Sequence, residues 1–256
     1  MNAVTPASLD TLLYPGSDPA REWLMSHAER MALLHVLEFA RPAAALEVGT
    51  AHGGSLQHIR RFAQQTYSID ILPGVRERLA PVMPGVEFLT GDSRQLIGEV
   101  LARCTERNTP LGFALIDGDH TREAVRSDLA ALLAVRPQGP LWVLMHDSSN
   151  PGCRAGIATA PWADNPYVHL VDLDFVTGTL SDDPRFPRQL WGGLALALLQ
   201  PEPRRHPLQI TTTAPCHHAA LWRASIHYPS AANWLRHWLE VKRKGLARRL
   251  GRPPLA

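Results

Sequence analysis

Acidic side chains and histidines follow two apolar segments of the chain at the point where each segment ends. Segment 111–116 runs into Asp117, and segment 140–145 runs into His146 and Asp147. If the two segments are neighbouring parallel strands, their ends lie about 4.8 Å apart. Two carboxylates that close are costly unless a cation or a proton lies between them, and oxygen ligands suit Mg²⁺. The sequence therefore predicts that Asp117 and Asp147 share one divalent cation.

A glycine-containing turn follows another apolar run, Ala43 to Val48. The run breaks at Gly49, and a helical pattern begins at Leu56. A strand that turns through glycines into a helix places backbone N–H groups beside a bound ligand. Asp70 closes the next apolar segment, at nearly the spacing of about 20 residues that nucleotide-binding βαβ units show. Its carboxylate suits the diol of a ribose, so the turn predicts a cofactor site.

The glycine spacing separates two classes of cofactor. A dinucleotide-binding turn has the pattern G-x-G-x-x-G, whose middle glycine lets the backbone approach a pyrophosphate. The nearest frame here places Ala51 at that position. Glu47, two residues before Gly49, would repel a pyrophosphate but tolerate the cationic amino-acid end of S-adenosylmethionine. NAD and FAD therefore fit poorly, and S-adenosylmethionine fits better.

Apolar periodicity arranges these motifs in an α/β domain. Strand patterns alternate with helical patterns, which predicts a mostly parallel sheet with right-handed crossovers. A helical pattern over Ala20 to Phe39 precedes the first strand and contains Glu29, for which a solvated face is favoured over contact with the cofactor. The predicted strands are 43–48, 66–70, 86–90, 111–116, 140–145, 168–176 and 191–199, with further candidates at 208–213 and 219–226.

The pattern E-x-G-x-x-x-G-G-S, from Glu47 to Ser55, resembles motif I of class I S-adenosylmethionine-dependent methyltransferases. The segments I-D-G-D-H-T and M-H-D, the latter followed by Pro151 to Gly156, resemble one branch of that class. This branch contains macrolide-sugar O-methyltransferases and the cephalosporin-biosynthesis protein once called a hydroxylase. The resemblance covers roughly residues 25–200. It implies a Rossmann-like, seven-stranded, mostly parallel sheet with one antiparallel strand and helices on both faces.

The resemblance also implies roles for individual residues. In this branch a divalent cation holds the hydroxyls of the substrate, and the histidine three residues after the first aspartate, here His120, is the general base. Asp92 would reach the adenine amino group. His146 stands where the branch usually has Glu or Asp, and imidazole shifts the preference from Mg²⁺ toward metals such as Mn²⁺ or Co²⁺, or ends the metal dependence. The implied metal ligands are Asp117, His146 and Asp147, and the implied cofactor-binding residues are Glu47, Gly49, Gly53, Ser55, Asp70, Asp92 and Asp117.

The predicted function is metal-assisted O-methylation of a hydroxyl on a sugar or another secondary-metabolite scaffold, as in antibiotic biosynthesis. The first alternative is a metal-independent N- or O-methyltransferase of a small molecule. The second is an NAD-dependent oxidoreductase, against which Ala51 and Glu47 argue. A third is an interaction protein that kept the fold without an activity, because fold alone does not specify function.

Composition and charge limit the partners. The chain has 256 residues, 45% of them apolar, and a net charge of +2. It has no apolar run of the roughly 18 residues that span a bilayer and only three scattered cysteines. We therefore expect a cytoplasmic protein that binds no nucleic acid or membrane, and the resemblance implies a hydroxylated small molecule as substrate. The expected organisation is an N-terminal helical cap (1–42), a methyltransferase domain (43–200) and a C-terminal extension (201–256) whose basic amphipathic helix docks on its own domain or in a homo-oligomer.

Overall fold

The computed structural model describes residues 13–18, 20–183, 185–231 and 233. Strands and helices alternate through most of this part of the chain. The strands are β1 (Ala44–Val48), β2 (Gln65–Asp70), β3 (Val86–Thr90), β4 (Leu111–Ile116), β5 (Leu141–His146), β6 (Val168–Val176), β7 (Thr179–Leu180), β8 (Leu190–Trp191), β9 (Leu194–Leu199) and β10 (Ile210–Thr211). The helices are α1 (His27–Ala40), α2 (Leu56–Phe62), α3 (Pro73–Leu79), α4 (Ser93–Glu106), α5 (Arg122–Leu132), α6 (Pro151–Ala158) and α7 (Pro215–Ala224).

The described residues form one large sheet with the strand order β10-β6-β9-β5-β4-β1-β2-β3. Within this sheet, β9 is antiparallel to both of its neighbours and the other pairings are parallel. Strands β7 and β8 form a separate antiparallel pair. The expected mostly parallel sheet with one antiparallel strand is therefore confirmed. The expected count of seven strands is wrong, because the two-residue strand β10 adds an eighth at the edge. Thr211 Oγ1 holds it there by donating to the carbonyl oxygen of Val171 at 3.0 Å.

Helices cover both faces of the sheet, as predicted. Along β1, Leu46 and Val48 belong to the core that contains residues of α4, α5 and α6. Ala45, which points to the opposite face, belongs to a second core with residues of α1 and α2. These two apolar layers fix the sheet between the helices. Because β1, β2, β4 and β5 are parallel, their carboxyl ends meet along one edge.

The C-terminal part differs from the expectation at one element. Residues 219–226 were predicted as a strand, but most of them lie in α7. Pro215 occupies the first turn of this helix, where proline is well tolerated because the first backbone N–H groups have no intrahelical partner. Alanine and leucine in the same segment favour a helix over a strand. The predicted basic helix after residue 233 and the first 12 residues of the N-terminal cap lie outside the described residues, and the proposed domain boundaries stay predictions.

Helix α1 begins with a capping box. The Ser26 hydroxyl accepts from Glu29 N, and the Glu29 carboxylate accepts from Ser26 N. The helix ends at Arg41, whose backbone is left-handed with φ +41°, directly before Pro42. Neither α1 nor any other helix in the described ranges has the length and apolar character needed to cross a bilayer.

Candidate active site

A cavity of about 930 Å³ opens at the carboxyl ends of β1, β2, β4 and β5. This is where open α/β sheets bind their ligands. The structure brings most of the predicted site residues together here. The predicted residues that line the cavity are Gly49, Asp70, Asp92, Asp117, His120, His146 and Asp147. Its lining does not include Glu47, Gly53 or Ser55.

The glycine turn packs directly against the end of β4. Gly49 has φ +85°, and a Cβ built on it would lie 1.9 Å from the carbonyl oxygen of Asp117. Only glycine combines that backbone conformation with so close an approach. The turn and the first acidic loop are therefore one packed unit.

Asp70 forms the cavity wall next to the glycine turn. Its Oδ2 accepts from Thr50 N at 3.1 Å and from Ala51 N at 3.0 Å. Its Oδ1 accepts from Leu72 N at 2.9 Å. Asp70 thus connects β2 to the turn that follows β1, and the predicted contact of its carboxylate with a ribose stays a prediction.

Glu47 lies beneath the turn. Its side chain is fully buried, and Oε1 accepts from the Ser55 hydroxyl. Oε2 has no hydrogen-bond partner among the residues that the structure describes. Burial raises the pKa of Glu47 to about 8. Glu47 and Ser55 therefore support the turn from below.

Replacing Glu47 with glutamine should remove one source of pH-dependent instability. Between about pH 4.5 and pH 8 the unfolded chain releases the Glu47 proton while the folded protein retains it. Rising pH therefore lowers the free energy of unfolding in this window, by up to about 1.4 kcal/mol per pH unit, and the loss is complete above pH 8. We expect the unfolding free energy of Glu47→Gln minus that of wild type to increase from pH 5 to pH 8, as measured by urea denaturation. Glu106→Gln, at an exposed position, is the control, and parallel pH profiles for wild type and Glu47→Gln would contradict the prediction.

The predicted metal ligands form a tight group. One ligand atom each of Asp117, His146 and Asp147 lies within 4.8 Å of the other two. Parallel pairing of β4 with β5 brings them together, with Ile116 opposite Met145. His146 Nδ1 lies 3.0 Å from Asp117 Oδ1 and 3.5 Å from Asp147 Oδ2. The expectation that the two acidic loops close neighbouring parallel strands is confirmed.

The charges in this group depend on one another. Burial favours a neutral imidazole, but Asp117, Asp147 and Glu29 together raise the pKa of His146 well above its ordinary value. Burial also opposes ionisation of Asp147, but His120 and His146 lower the pKa of that carboxyl. The neighbouring carboxylates therefore require a positive charge, which either a protonated His146 or a cation held by a neutral His146 would supply.

His120 lies on the cavity side of the same group. Its Nε2 is 2.9 Å from Asp147 Oδ2 and 4.0 Å from Asp117 Oδ1. The ring stands edge-on to Trp191, with 5.6 Å between ring centroids. The hydrogen bond to Asp147 raises the pKa of His120 above its ordinary value. The predicted base is thus half-exposed, oriented by a carboxylate and next to an aromatic wall.

Asp92 and Asp128 lie in the part of the cavity near α4. Asp92 caps α4 by accepting from Arg94 N at 3.0 Å and also pairs with the Arg94 guanidinium. Its predicted contact with adenine stays a prediction. Asp128, which the sequence did not single out, is buried and accepts from the Ser93 hydroxyl at 2.6 Å.

Glu29 was expected on a solvated face, and that expectation is wrong. The residue is only 3% exposed. Its Oε1 lies 3.2 Å from His146 Nε2 and accepts from Gly193 N at 2.6 Å. The spacing of Ser26 and Glu29 was a readable capping signal. The contact with His146 arises from tertiary packing, which no local pattern encodes.

Residues 46–148 match the family described as methyltransferase domain. The fold is similar to that of cofactor-bound Rv0187 from MTB, with 18% identity, a TM-score of 0.52, and coverage of 78% of this chain and 100% of that chain. It is also similar to a proposed O-methyltransferase from Klebsiella pneumoniae, with 18% identity, a TM-score of 0.53, and coverage of 75% of this chain and 94% of that chain. No curated protein matches the sequence.

These comparisons confirm the predicted class. Residues 46–148 form a methyltransferase domain, which agrees with the predicted class I, S-adenosylmethionine-dependent type and with an enzyme. The match spans the glycine turn, Asp70, Asp117 and both residues of the second acidic loop. The branch containing macrolide-sugar O-methyltransferases stays a prediction.

Proposed function

We propose that this enzyme transfers the methyl group of S-adenosylmethionine to a hydroxyl of a sugar or another secondary-metabolite scaffold, with the assistance of a divalent cation. One observation carries the proposal. The group formed by Asp117, His146 and Asp147 opens into the same cavity as the glycine turn. A cofactor on the turn and a hydroxyl at the acidic group would therefore be neighbours.

The donor set fits a divalent cation such as Mg²⁺, Mn²⁺ or Co²⁺. Asp117 and Asp147 offer carboxylate oxygens, and the Nδ1 of His146 faces both of them. Oxygen ligands suit Mg²⁺, and imidazole adds affinity for transition metals. When bound, such a cation would favour ionisation of a hydroxyl that it contacts.

The charge of the cavity favours a cationic cofactor over a dinucleotide. Carboxylates outnumber guanidinium groups along the wall, where Arg94 is the arginine that the lining includes. S-Adenosylmethionine carries a sulfonium and an ammonium, whereas the pyrophosphate of NAD would meet negative charge. The lining carboxylates are those of Glu29, Asp70, Asp92, Asp117, Asp119, Glu123, Asp128 and Asp147.

The chain's own residues would position the reactants and move one proton. The hydroxyl oxygen of the acceptor forms a bond to the methyl carbon while the bond between that carbon and sulfur breaks, and S-adenosylhomocysteine leaves. The acceptor proton passes to His120 Nδ1, because Nε2–H donates to Asp147 Oδ2 and Asp147 thereby orients the imidazole. The glycine turn and the cavity wall restrict the approach of donor and acceptor, which is the main contribution an enzyme makes to such a displacement.

Removal of divalent cations should abolish turnover. We expect protein treated with EDTA and desalted to release no S-adenosylhomocysteine above background, and Mg²⁺, Mn²⁺ or Co²⁺ to restore the release. The acceptor is found by mass spectrometry as the hydroxylated metabolite that gains one methyl group.

Two variants sharpen this experiment. Asp117→Asn should not be rescued by added cation, whereas Glu77→Gln, exposed on α3, should behave as wild type. Full turnover by the stripped wild-type enzyme would contradict metal assistance and favour a metal-independent N- or O-methyltransferase.

The two remaining alternative functions, an NAD-dependent oxidoreductase and an interaction protein without an activity, predict different binding results. Binding of NADH in place of S-adenosylmethionine would support the first, and binding of neither would support the second. The expected homo-oligomer, the cytoplasmic location and the absence of nucleic-acid and membrane binding are part of this proposal and stay predictions.

A further inference from the structure

Glu29 connects the start of α1 to His146, which lies between Asp117 and Asp147 in the predicted metal site. Its Oε2 accepts from Ser26 N at 2.6 Å, which is the capping contact. Its Oε1 accepts from Gly193 N and lies 3.2 Å from His146 Nε2, within hydrogen-bond distance although imperfectly aligned. A carboxylate that only capped a helix would not need burial against a histidine of another element.

The turn between β8 and β9 contacts the carboxylates of Asp147 and Glu29. Gly192 N donates to Asp147 Oδ1, and Gly193 N donates to Glu29 Oε1. Both glycines have positive φ, +68° and +85°, so two successive N–H groups point toward acidic side chains. A Cβ on Gly192 would lie 3.0 Å from Glu29 Oε1. The carboxylates of Glu29 and Asp147 are therefore fixed on either side of His146.

We propose that Glu29 is a positioning residue that fixes the tautomer and ring orientation of His146, so that Nε2–H faces Glu29 and Nδ1 faces the cation held with Asp117 and Asp147. This inference rests on the proposed metal site. A neutral imidazole has one N–H and one lone pair, and it ligates a metal only through the nitrogen that carries the lone pair. A carboxylate that accepts from the other nitrogen fixes which one that is, and losing such a partner typically costs 10–100-fold in metal affinity.

The test measures metal binding and needs no acceptor substrate. We expect Glu29→Gln in the full chain to weaken Mn²⁺ binding by about 10–100-fold in calorimetric titration. We also expect a change in the visible absorption of bound Co²⁺, because the imidazole ligand would be displaced or turned. Ser26→Ala removes the other side chain of the capping box, and Glu38→Gln changes an exposed position of the same helix. Both should bind Mn²⁺ as wild type does.

A double-variant cycle separates positioning from a loss of folding. In the background of His146→Asp there is no imidazole to orient, so the further change Glu29→Gln should alter Mn²⁺ affinity less than threefold. If Glu29→Gln lowered Mn²⁺ affinity equally in the wild-type and His146→Asp backgrounds, the inference would be overturned. It would also be overturned if Glu29→Gln and Ser26→Ala lowered the melting temperature equally and both kept wild-type Mn²⁺ affinity. If wild type binds Mn²⁺ and Glu29→Gln binds it equally well, the inference fails and the proposed function stands. If wild type binds neither Mn²⁺, Mg²⁺ nor Co²⁺, metal assistance itself fails and the inference with it.

Discussion

Replacing Gly49 with alanine should abolish S-adenosylmethionine binding and strongly destabilise the domain. The new Cβ would lie 1.9 Å from the Asp117 carbonyl oxygen, on a backbone with φ +85°. Backbone strain of this kind costs about 1–3 kcal/mol, and overpacking adds about 1–3 kcal/mol. We therefore expect the free energy of unfolding to fall by roughly 2–6 kcal/mol. Chemical denaturation and calorimetric titration with the cofactor measure the two effects.

Gly98→Ala is the matched control for this substitution. Gly98 lies in α4, and a Cβ built on it would have no heavy atom within 4 Å. Because alanine favours a helix over glycine, this variant should gain about 0.5–1 kcal/mol and bind the cofactor normally. If Gly49→Ala were as stable as wild type and bound S-adenosylmethionine with the same affinity, the turn would not be the cofactor site.

Replacing His120 with alanine should lower turnover by about 10²–10⁴-fold, the usual contribution of a positioned general base. His120 lines the cavity, and its Nε2 lies 2.9 Å from Asp147 Oδ2. The alanine variant should bind S-adenosylmethionine with wild-type affinity, because His120 takes no part in the glycine turn. The rate of S-adenosylhomocysteine release with the identified acceptor is the measurement.

A second substitution at this position distinguishes proton transfer from positioning. The amide of His120→Asn can still donate to Asp147 but cannot accept the acceptor's proton, so it should be as slow as His120→Ala. The control His35→Ala removes an exposed histidine of α1 and should keep full turnover. A loss of less than tenfold in both His120 variants would show that this histidine is not the base.

The fold followed from local patterns over most of its length. Strands β1 to β5 lie within two residues of their predicted limits, because apolar runs bounded by polar turns allow few other structures in an alternating chain. After residue 200 the apolar pattern predicted the secondary structure less well. There most of the segment 219–226 lies in helix α7, because its three alanines and one leucine favour a helix and Pro215 begins that helix.

The acidic loops were predictable because each follows a strand, and parallel strands end at the same sheet edge. Asp117, His146 and Asp147 met as expected for that reason. The burial of Glu29 against His146 was not predictable, since the two residues are far apart in sequence and meet only after α1 packs on the sheet. The assignment of Glu47 to the cofactor stays a prediction, and the structure adds that its side chain is buried and accepts from the Ser55 hydroxyl.

In the proposed site, cofactor and cation share one cavity, and the methyl group of the cofactor lies beside Asp117, His146 and Asp147. The most direct measurement is the NMR relaxation of bound S-adenosylmethionine with a ¹³C-labelled methyl group, recorded with and without Mn²⁺. We predict strong paramagnetic broadening of the bound methyl signal in wild type and none in Asp147→Asn, with the cofactor bound in both. A bound methyl signal that Mn²⁺ leaves unchanged in the wild-type protein would show that the cation and the methyl group do not share this cavity.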